Sequence, residues 1–232
     1  KDISIIEDNC ESLGAEFQNQ KTGTIGLLGT FSFFFSHHIS TMEGGMVVTD
    51  NEELYHILLS LRAHGWTRNL PEDNLIAKKS KNSFDESFRF VLPGYNLRPL
   101  EMSGAIGSIQ IQKFPEFLIQ RKKNAEMFLD KMKKYNDIIT QKEIGSSSWF
   151  GFSMVIKPDS KRTRSDLVKM LCEIGFECRP IVAGNFAKND VVKYFNYQVD
   201  DDLKNANIVD KNGIFIGNHH INMENTFKSL IL

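Results

Sequence analysis

The apolar positions in the first fifty residues predict three short β-strands. The run Ile3–Ile6 is rich in β-branched residues and predicts a buried strand that delivers Asp8 to its C-terminal end. Thr30–Phe35 predicts a second strand, and Met46–Thr49 predicts a third. In open α/β sheets, ligands sit at the C-terminal ends of the strands. The residues that follow these strands are therefore the first candidates for chemistry.

Helical spacing of apolar residues follows further along the chain. In Glu52–Arg62 the leucines and isoleucine recur at helical intervals, and Asp50 is placed to cap that helix. Leu100–Gln112 and Glu116–Lys134 predict two further helices. The segment 63–90 is polar and predicts a long loop, and long loops in compact domains are often functional.

The pattern divides the chain into two domains. Residues 1–135 are expected to form the remainder of a large α/β domain with its linking helices, and residues 136–232 a smaller α+β domain. In the second domain, Ser165–Ile174 predicts a helix that Ser165 caps and Gly175 ends. The strands predicted there are Trp149–Ile156, Phe176–Ile181 and Gly213–Ile216.

The composition argues against several classes of protein. Lys and Arg number 28 against 29 Asp and Glu, so the formal charge of −1 gives no electrostatic reason to expect nucleic acid or an anionic membrane as a partner. No apolar run approaches the ~20 residues of a membrane-spanning helix. The three cysteines form neither a disulfide framework nor a metal quartet, so we expect a reducing, cytoplasmic setting.

The ends of the chain lead to a separate expectation. The chain begins at Lys1 without a methionine, enters an apolar strand almost at once, and stops at Leu232 in a helical-looking stretch. It carries no signal-peptide pattern. We therefore expect a piece of a longer polypeptide, with a segment preceding Lys1.

Asp8 and two histidine pairs are candidates for chemistry. An aspartate at a strand end is often a turn or cap residue, but it can also hold a protonated pyridine nitrogen, which makes the ring an electron sink. The pairs His37–His38 and His219–His220 could ligate a metal. Adjacent strand residues point to opposite faces, however, and would not readily share one ion. We therefore expect no metal site.

Two loops add weaker signals. Glu43-Gly44-Gly45 permits a tight turn or a close approach of the backbone to a ligand. In Gly94-Tyr95-Asn96-Leu97-Arg98, a neutral donor stands two residues before a cation. Either an ordinary turn or a site for phosphate or carboxylate explains that spacing.

Taken in this order, these segments resemble the DegT/StrS-type sugar aminotransferases. The matching segments are Ile6–Gly14, Phe31–Phe33, Glu43–Gly45 and Gly94–Arg98, and the resemblance extends over essentially the whole chain. It implies an α/β protein of PLP-dependent transferase fold type I, the aspartate-aminotransferase-like fold, with a smaller α+β C-terminal domain. Members of the family carry further residues before this point, so the resemblance also implies that the N-terminal part of the fold is missing here.

The resemblance assigns roles to four cofactor-binding residues. Asp8 would pair with the pyridine nitrogen of pyridoxal 5'-phosphate (PLP), and Ser32 would contact the cofactor phosphate. Glu11 would support the pyridine ring or orient Asp8. Asn96 would reach the cofactor phosphate of the neighbouring subunit, which implies a homodimer whose active site is shared between subunits.

Three residues are candidates for substrate binding. Arg98 suits the α-carboxylate of L-glutamate, because a guanidinium fork matches a planar anion. Arg179 and Asn185 are candidates for contacts with a nucleotide-sugar substrate. An ordinary surface role for Arg179 and Asn185 stays open at this point.

His37 is the main departure from the aminotransferase pattern. It stands where those enzymes place the Schiff-base lysine, and Phe31–Asp50 contains no lysine. A histidine cannot form that covalent link, but it can shuttle a proton near neutral pH, since its ordinary pKa is about 6.5. Within the family, this exchange marks the 3-dehydratases of nucleotide-linked 4-keto-6-deoxyhexoses.

Two kinds of such dehydratase are known, and the resemblance selects one of them. The kind with an iron–sulfur cluster needs four cluster cysteines, whereas this chain has three. The segments 36–38, 62–71, 147–152 and 179–186 are similar to the cluster-free kind, which acts on GDP-4-keto-6-deoxy-D-mannose in the pathway to colitose. The resemblance thus implies a role in the deoxysugar biosynthesis of lipopolysaccharide O-antigen.

The implied activity is loss of the C3 hydroxyl from the keto sugar. L-Glutamate would be the amino donor to the cofactor, which serves as PLP and as pyridoxamine 5'-phosphate, and His37 would move the proton. Three alternatives stay open: an aminotransferase that makes an amino sugar such as perosamine, a truncated inactive family member, and a metal-dependent enzyme that uses the histidine pairs.

Overall fold

The structure, a computed structural model, describes residues 3–231. It divides into two compact units, of which the first ends at Phe114 and the second begins at Pro115. The predictions that concern Lys1 and Leu232 lie outside the described residues.

The first unit is built on a three-stranded sheet with the order β1–β4–β5, beside a small hairpin, β2–β3. The elements are β1 Ile6–Asp8, β2 Glu16–Phe17, β3 Gln20–Lys21, β4 Leu28–Ser32, β5 Gly45–Val48, α1 Glu52–Leu61 and α2 Ser83–Glu86. β1 pairs with β4 in parallel and β4 with β5 antiparallel. The parallel pair brings the C-terminal ends of β1 and β4 to one edge of the sheet.

The observed strands are displaced from the predicted ones by a few residues. β1 begins at Ile6, not Ile3, and β4 ends at Ser32, not Phe35. β4 stops there because the chain closes a loop: the Phe33 N–H donates to the Gly44 carbonyl at 2.9 Å, and the Thr41 N–H donates to the Phe33 carbonyl at 2.9 Å. Apolar side chains of this sheet remain exposed, Ile6 at 64% and Val47 at 45%.

Helix α1 is confirmed, but its predicted cap is wrong. The Asn51 side chain accepts the Leu54 N–H at 2.9 Å, so Asn51 and not Asp50 satisfies the free amides of the first turn. The predicted loop at 63–90 contains the short helix α2. Its remainder is held by isolated backbone and side-chain contacts, such as the bridge between Trp66 and Phe90 and the hydrogen bond from Lys79 Nζ to the Leu70 carbonyl.

One long helix, α3 at Glu101–Met132, stands where the sequence predicts two. Pro115 lies inside it and removes one backbone hydrogen bond, yet the helix continues on both sides. The two units divide within this helix, whereas the sequence places the domain boundary after Tyr135. The difference has a packing reason, because Ala125, Phe128 and Met132 of α3 belong to the core of the second unit.

The second unit is an antiparallel sheet with the order β6–β7–β9–β8 and helices packed against it. Its elements are β6 Ile138–Thr140, β7 Gly151–Ile156, α4 Arg164–Glu173, β8 Cys178–Arg179, α5 Lys204–Asn212, β9 Gly213–Gly217 and α6 Glu224–Ser229. Two 3₁₀ turns span Phe186–Lys188 and Asp190–Tyr194. Alternation along β7 buries Phe152, Met154 and Ile156 in one apolar core.

The start of α4 corrects another predicted cap. Thr163, and not Ser165, caps this helix: its side chain accepts the Asp166 N–H, while the Asp166 carboxylate accepts the Thr163 N–H. This reciprocal arrangement is a capping box. Within residues 3–231, none of the helices has the length and apolar character needed to cross a bilayer.

Candidate active site

Asp8 lies at the C-terminal end of β1, opposite Thr30 of β4. Its Oδ1 accepts the Cys10 N–H at 3.1 Å and the Thr30 hydroxyl at 3.4 Å. The amide and thiol of Cys10 outweigh the modest cost of burial and, with Thr30, hold the pKa of Asp8 below its ordinary value. The carboxylate is therefore ionised at neutral pH and is fixed through one oxygen.

The Cys10 thiol supports this carboxylate as a donor. Burial and the neighbouring Asp8 charge raise the pKa of the thiol to about 11. The thiol therefore stays protonated at neutral pH, and a protonated thiol is a poor nucleophile. Sequence reasoning assigned Cys10 no role at this site.

Glu7 has a different task from its neighbour Asp8, because successive strand residues point to opposite faces. Its carboxylate accepts three backbone N–H groups, from Gly23 at 2.7 Å, Ile25 at 2.7 Å and Gly26 at 2.6 Å. Burial opposes ionisation, but these three donors prevail and lower the pKa of Glu7. Glu7 thus anchors the loop that leads into β4.

Ser32 is the last residue of β4, the strand that runs parallel to β1. It therefore lies at the same edge of the sheet as Asp8. Its Oγ accepts the Phe34 N–H at 3.3 Å. A hydroxyl that accepts one hydrogen bond still has its own hydrogen to donate. Ser32 is therefore equipped to donate to an anion such as a phosphate.

His37 is half-buried in the loop that joins β4 to β5. Its backbone N–H donates to the Phe34 carbonyl at 3.0 Å, and its ring lies edge-on to Phe34 with centroids 6.0 Å apart. Gly44 closes this loop with φ of 154°, and a Cβ at that position would lie 2.6 Å from Thr41 Oγ1. The loop is thus a tight closed turn in which glycine is required.

His38 has a different environment from His37. It is 2% exposed, and its ring centroid lies 6.4 Å from that of Phe114. In the part of the chain that the structure describes, no three His, Cys, Asp or Glu side chains are grouped so as to hold a metal ion.

Asn96 and Arg98 lie on a second loop of the first unit. The loop is hydrogen-bonded to the end of α1: the Tyr95 N–H donates to the Leu61 carbonyl at 2.7 Å, and the Leu97 N–H to the Arg62 carbonyl at 2.9 Å. A Cβ on Gly94 would lie 2.0 Å from the Gly65 nitrogen, so only glycine permits this approach. Both Asn96 and Arg98 are exposed.

Arg98 also belongs to an aromatic cluster that sequence reasoning missed. Its guanidinium lies 5.8 Å from the ring centroid of Trp66, and the Arg68 guanidinium lies 4.3 Å from the same ring. The His64 ring centroid is 4.9 Å from that of Trp66. Both guanidiniums lie near the Trp66 ring, so this loop region carries two positive charges, which favour anions.

Glu11, Arg179 and Asn185 are the remaining predicted site residues. Glu11 is exposed, and the described groups that hydrogen-bond Asp8 come from Cys10 and Thr30 rather than from Glu11. Arg179, on β8, is exposed and pairs with Glu177 at 3.3 Å.

Asn185 has a local structural role. It is 5% exposed, its Oδ1 accepts the Ala187 N–H at 3.1 Å, and its Nδ2 donates to Asn207 at 3.0 Å. The amide therefore caps the first 3₁₀ turn and ties it to α5.

The structure brings Asp8 and Ser32 together at one sheet edge and attaches His37 to the loop that follows. Asn96 and Arg98 lie on another loop of the same unit, and Arg179 and Asn185 lie in the second unit. The supporting residues Cys10, Thr30 and Glu7 were not predicted. Only the pairing register of β1 with β4 would have indicated Thr30.

Comparisons with known proteins show what this chain is similar to. The sequence profile of the DegT/DnrJ/EryC1/StrS aminotransferase family matches residues 1–227. A GDP-4-keto-6-deoxy-D-mannose 3-dehydratase of Escherichia coli O55:H7 is 60% identical over 225 residues, which are 96% of this chain and 58% of that protein.

Two solved structures extend the comparison to the fold. The E. coli GDP-4-keto-6-deoxy-D-mannose-3-dehydratase with bound hydrated PLP is 58% identical, with a TM-score of 0.96 over 100% of this chain and 61% of that one. A GDP-4-keto-6-deoxymannose-3-dehydratase with a trapped PLP-glutamate geminal diamine is 57% identical, with a TM-score of 0.95 over 100% of this chain and 61% of that one. The predicted PLP-dependent aminotransferase fold is confirmed.

The chain spans less than two thirds of the length of these relatives, namely 58% of the curated protein and 61% of each solved chain.

Proposed function

Because this chain belongs to the DegT/DnrJ/EryC1/StrS aminotransferase family, we propose that the whole protein is a PLP-dependent lyase. The reaction is loss of the C3 hydroxyl from a nucleotide-linked 4-keto-6-deoxyhexose, with GDP-4-keto-6-deoxy-D-mannose as the substrate and L-glutamate as the amino donor to the cofactor. The names of the 60% and 57% identical relatives support the sugar, the cofactor and glutamate.

The residues present fit PLP. An ionised Asp8 at the end of β1 matches a protonated pyridine nitrogen, and a free hydroxyl hydrogen on Ser32 matches a phosphate oxygen. When bound, the cofactor supplies an electron sink for the carbon next to its ring. Cys10 and Thr30 orient Asp8 for this pairing, and Glu11 is exposed beside it as a further contact to the ring.

The observation that carries the proposal is an imidazole, and no lysine, after the cofactor-binding strand. His37 follows Ser32 by five positions, and Phe31–Asp50 contains no lysine. Its ring nitrogen would take up the proton released beside the cofactor ring and pass it to the departing C3 hydroxyl, which leaves as water. Without a primary amine at this position, the route to an amino sugar lacks its usual proton carrier.

Other residues position the two substrates. Arg98 binds the α-carboxylate of glutamate, and the nearby Arg68 adds positive charge on the same Trp66 ring. Arg179 contacts the nucleotide sugar, and Asn185 supports that region from a buried position. Asn96 contacts the cofactor phosphate of a second subunit, so the active enzyme is a homodimer. The exposure of Asn96 is compatible with such a contact.

The enzyme acts in the cytoplasm, in the deoxysugar biosynthesis of lipopolysaccharide O-antigen. Its three cysteines, Cys10, Cys172 and Cys178, are free thiols, which supports a reducing compartment.

The experiment is turnover of GDP-4-keto-6-deoxy-D-mannose by the full native polypeptide with PLP and glutamate. We expect a 3-deoxy keto sugar, 2-oxoglutarate and ammonia, since glutamate supplies both the amino group and the two electrons. The products are measured by mass spectrometry and a coupled ammonia assay. His37→Asn should lower kcat by about 10²–10⁴-fold and retain cofactor binding, because it removes the proton carrier alone. A matched His219→Asn change, at an exposed histidine of the second unit, should leave kcat unchanged. A 4-amino sugar as product, or full turnover by His37→Asn, would contradict the proposal.

A further inference from the structure

The second unit contains a cleft of about 710 Å³ between the end of β7, the start of α4 and helix α5. This volume lies within the range of small-molecule sites, roughly 300–1,000 Å³. None of the residues assigned above to cofactor or substrate lines the cleft, although Asn185 donates to Asn207 in its wall. Its lining residues have no role in the proposed reaction.

The cleft is strongly basic. Its lining holds five cationic side chains and one carboxylate, a formal charge of +4 in a chain whose total is −1. The cations are Lys157, Arg162, Arg164, Lys204 and Lys211. Like charges around one concavity repel, and an anion in the cleft relieves that repulsion.

Two of the five cations are fixed by the protein itself. Arg162 Nε pairs with Asp137 Oδ2 at 3.1 Å, and the Arg164 guanidinium donates to the Asp210 carbonyl. The carboxylate of Asp202 is turned towards its own chain, where Oδ1 accepts the Lys204 N–H at 3.0 Å. These contacts fix the two guanidiniums, and Asp137 offsets the charge of Arg162.

The three lysines are the free charges of the cleft. Lys157, Lys204 and Lys211 are exposed. Within residues 3–231, none of them forms an ion pair with a carboxylate. An ordinary solvated surface of this composition intersperses acids with its bases. Here the acids are absent from the cleft apart from Asp202.

Side-chain hydrogen bonds hold the walls of the cleft in place. The Asn212 amide donates to the Ile156 carbonyl at 2.8 Å, which joins α5 to the end of β7. The Asn207 amide donates to the Asp202 carbonyl at 3.2 Å and accepts from Asn185. The lysines on α5 are thus carried by an element fixed to the sheet.

We propose that this cleft binds a small anion that carries a diphosphate group. A diphosphate presents several oxygens and more than one negative charge, which suits three mobile ammonium groups beside two fixed guanidiniums. The apolar surface of Pro158 and Ile208 lies beside the charges and can accept an organic substituent. This site is independent of the proposed dehydration.

The test is equilibrium dialysis of the full native polypeptide, saturated with PLP, against inorganic pyrophosphate and orthophosphate. We expect saturable binding of pyrophosphate that is tighter than that of orthophosphate and weakens steeply with salt. The double variant Lys204→Glu, Lys211→Glu should weaken it at least tenfold. A matched double variant, Lys123→Glu with Lys142→Glu, changes the net charge equally on exposed positions outside the cleft and should leave the affinity unchanged.

Comparison of pyrophosphate with ADP separates a free ion from an organic diphosphate, and tighter binding of either identifies the source. Absence of saturable pyrophosphate binding would overturn the proposal. Equal loss in the two double variants, or binding that Lys204→Glu, Lys211→Glu leaves unchanged, would overturn it as well. These results are read from binding alone, so they are independent of whether the dehydration assay succeeds.

Discussion

Replacement of Glu7 by Gln tests whether one carboxylate holds the loop that leads into β4. Glu7 Oε1 accepts the Ile25 and Gly26 N–H groups, and Oε2 accepts that of Gly23. The amide of glutamine can keep the first two bonds but turns an NH₂ group towards the third donor. It also removes the charge from all three bonds.

The expected cost follows from these contacts. Hydrogen bonds to a charged group contribute about 1.5–3 kcal/mol, and an unsatisfied donor costs about 1–3 kcal/mol. Because Glu7 is only half-buried, we expect the lower end, a loss of about 2 kcal/mol in the free energy of local opening. By the rule of 1.4 kcal/mol per tenfold, amides in residues 22–27 should exchange about 30-fold faster.

The assay is hydrogen exchange followed by mass spectrometry on the full native polypeptide at neutral pH. Glu16→Gln is the control. Glu16 is exposed on β2, and its replacement removes the same charge. Unchanged exchange across 22–27 in Glu7→Gln, or equal acceleration in both variants, would refute the reasoning.

The pH dependence of the Glu7 contribution has a defined sign. The folded pKa of Glu7 is lowered, so the carboxylate stabilises the fold above its ordinary pKa near 4.5. That stabilisation is lost as the pH falls through the lowered folded value. The difference between wild type and Glu7→Gln should therefore be full at neutral pH and shrink in the acid range below about 4.5.

Two further predictions concern Asp8 and Arg121. Asp8→Asn should lower kcat by about 10²–10³-fold in the same turnover assay, since it removes the charge opposite the ring nitrogen. The control Glu16→Gln should have no effect. Equal kcat for wild type and Asp8→Asn would contradict the assignment. Arg121 is 3% exposed, and its Nη1 donates to the carbonyls of Trp149, Phe150 and Asn218, while burial lowers its pKa to about 10. Arg121→Met should therefore destabilise the second unit by about 2–4 kcal/mol in urea unfolding, against near zero for Lys123→Met on the exposed face of the same helix. A loss below about 0.5 kcal/mol would show that these three carbonyls find other donors.

The sequence indicated candidate site residues, whose roles stay predictions, but it did not indicate the contacts that support them. Asp8, Ser32 and the Glu43–Gly45 turn could be recognised because each has a local signature, such as a strand end or adjacent glycines. The contacts from Thr30 to Asp8 and from Gly23 to Glu7 join residues 16 to 22 positions apart. Such contacts depend on strand register, which a single sequence does not state.

The helix errors have local physical causes. Asn51 and Thr163 compete with Asp50 and Ser165 for the same capping role, and the choice depends on backbone geometry outside the helix. α3 continues through Pro115 because apolar residues beyond it are packed into the core of the second unit. Packing thus outweighs a local break in propensity. α5, with the sequence Lys-Asn-Ala-Asn-Ile-Val-Asp-Lys-Asn, has too few apolar residues for its periodicity to be noticed.

The opposite orientations of Glu7 and Asp8 on β1 make this strand intolerant of insertions. Deleting or adding one residue before Glu7 would exchange the two faces, so that the loop would lose its anchor. An insertion would put the longer glutamate in the position of Asp8, and a deletion would put Asn9 there. A substitution at either position damages one task, whereas a single-codon insertion or deletion damages both at once. In a scan of such variants, β1 should therefore tolerate length changes far less well than the exposed β2–β3 hairpin, where Glu16 and Lys21 pair at the surface.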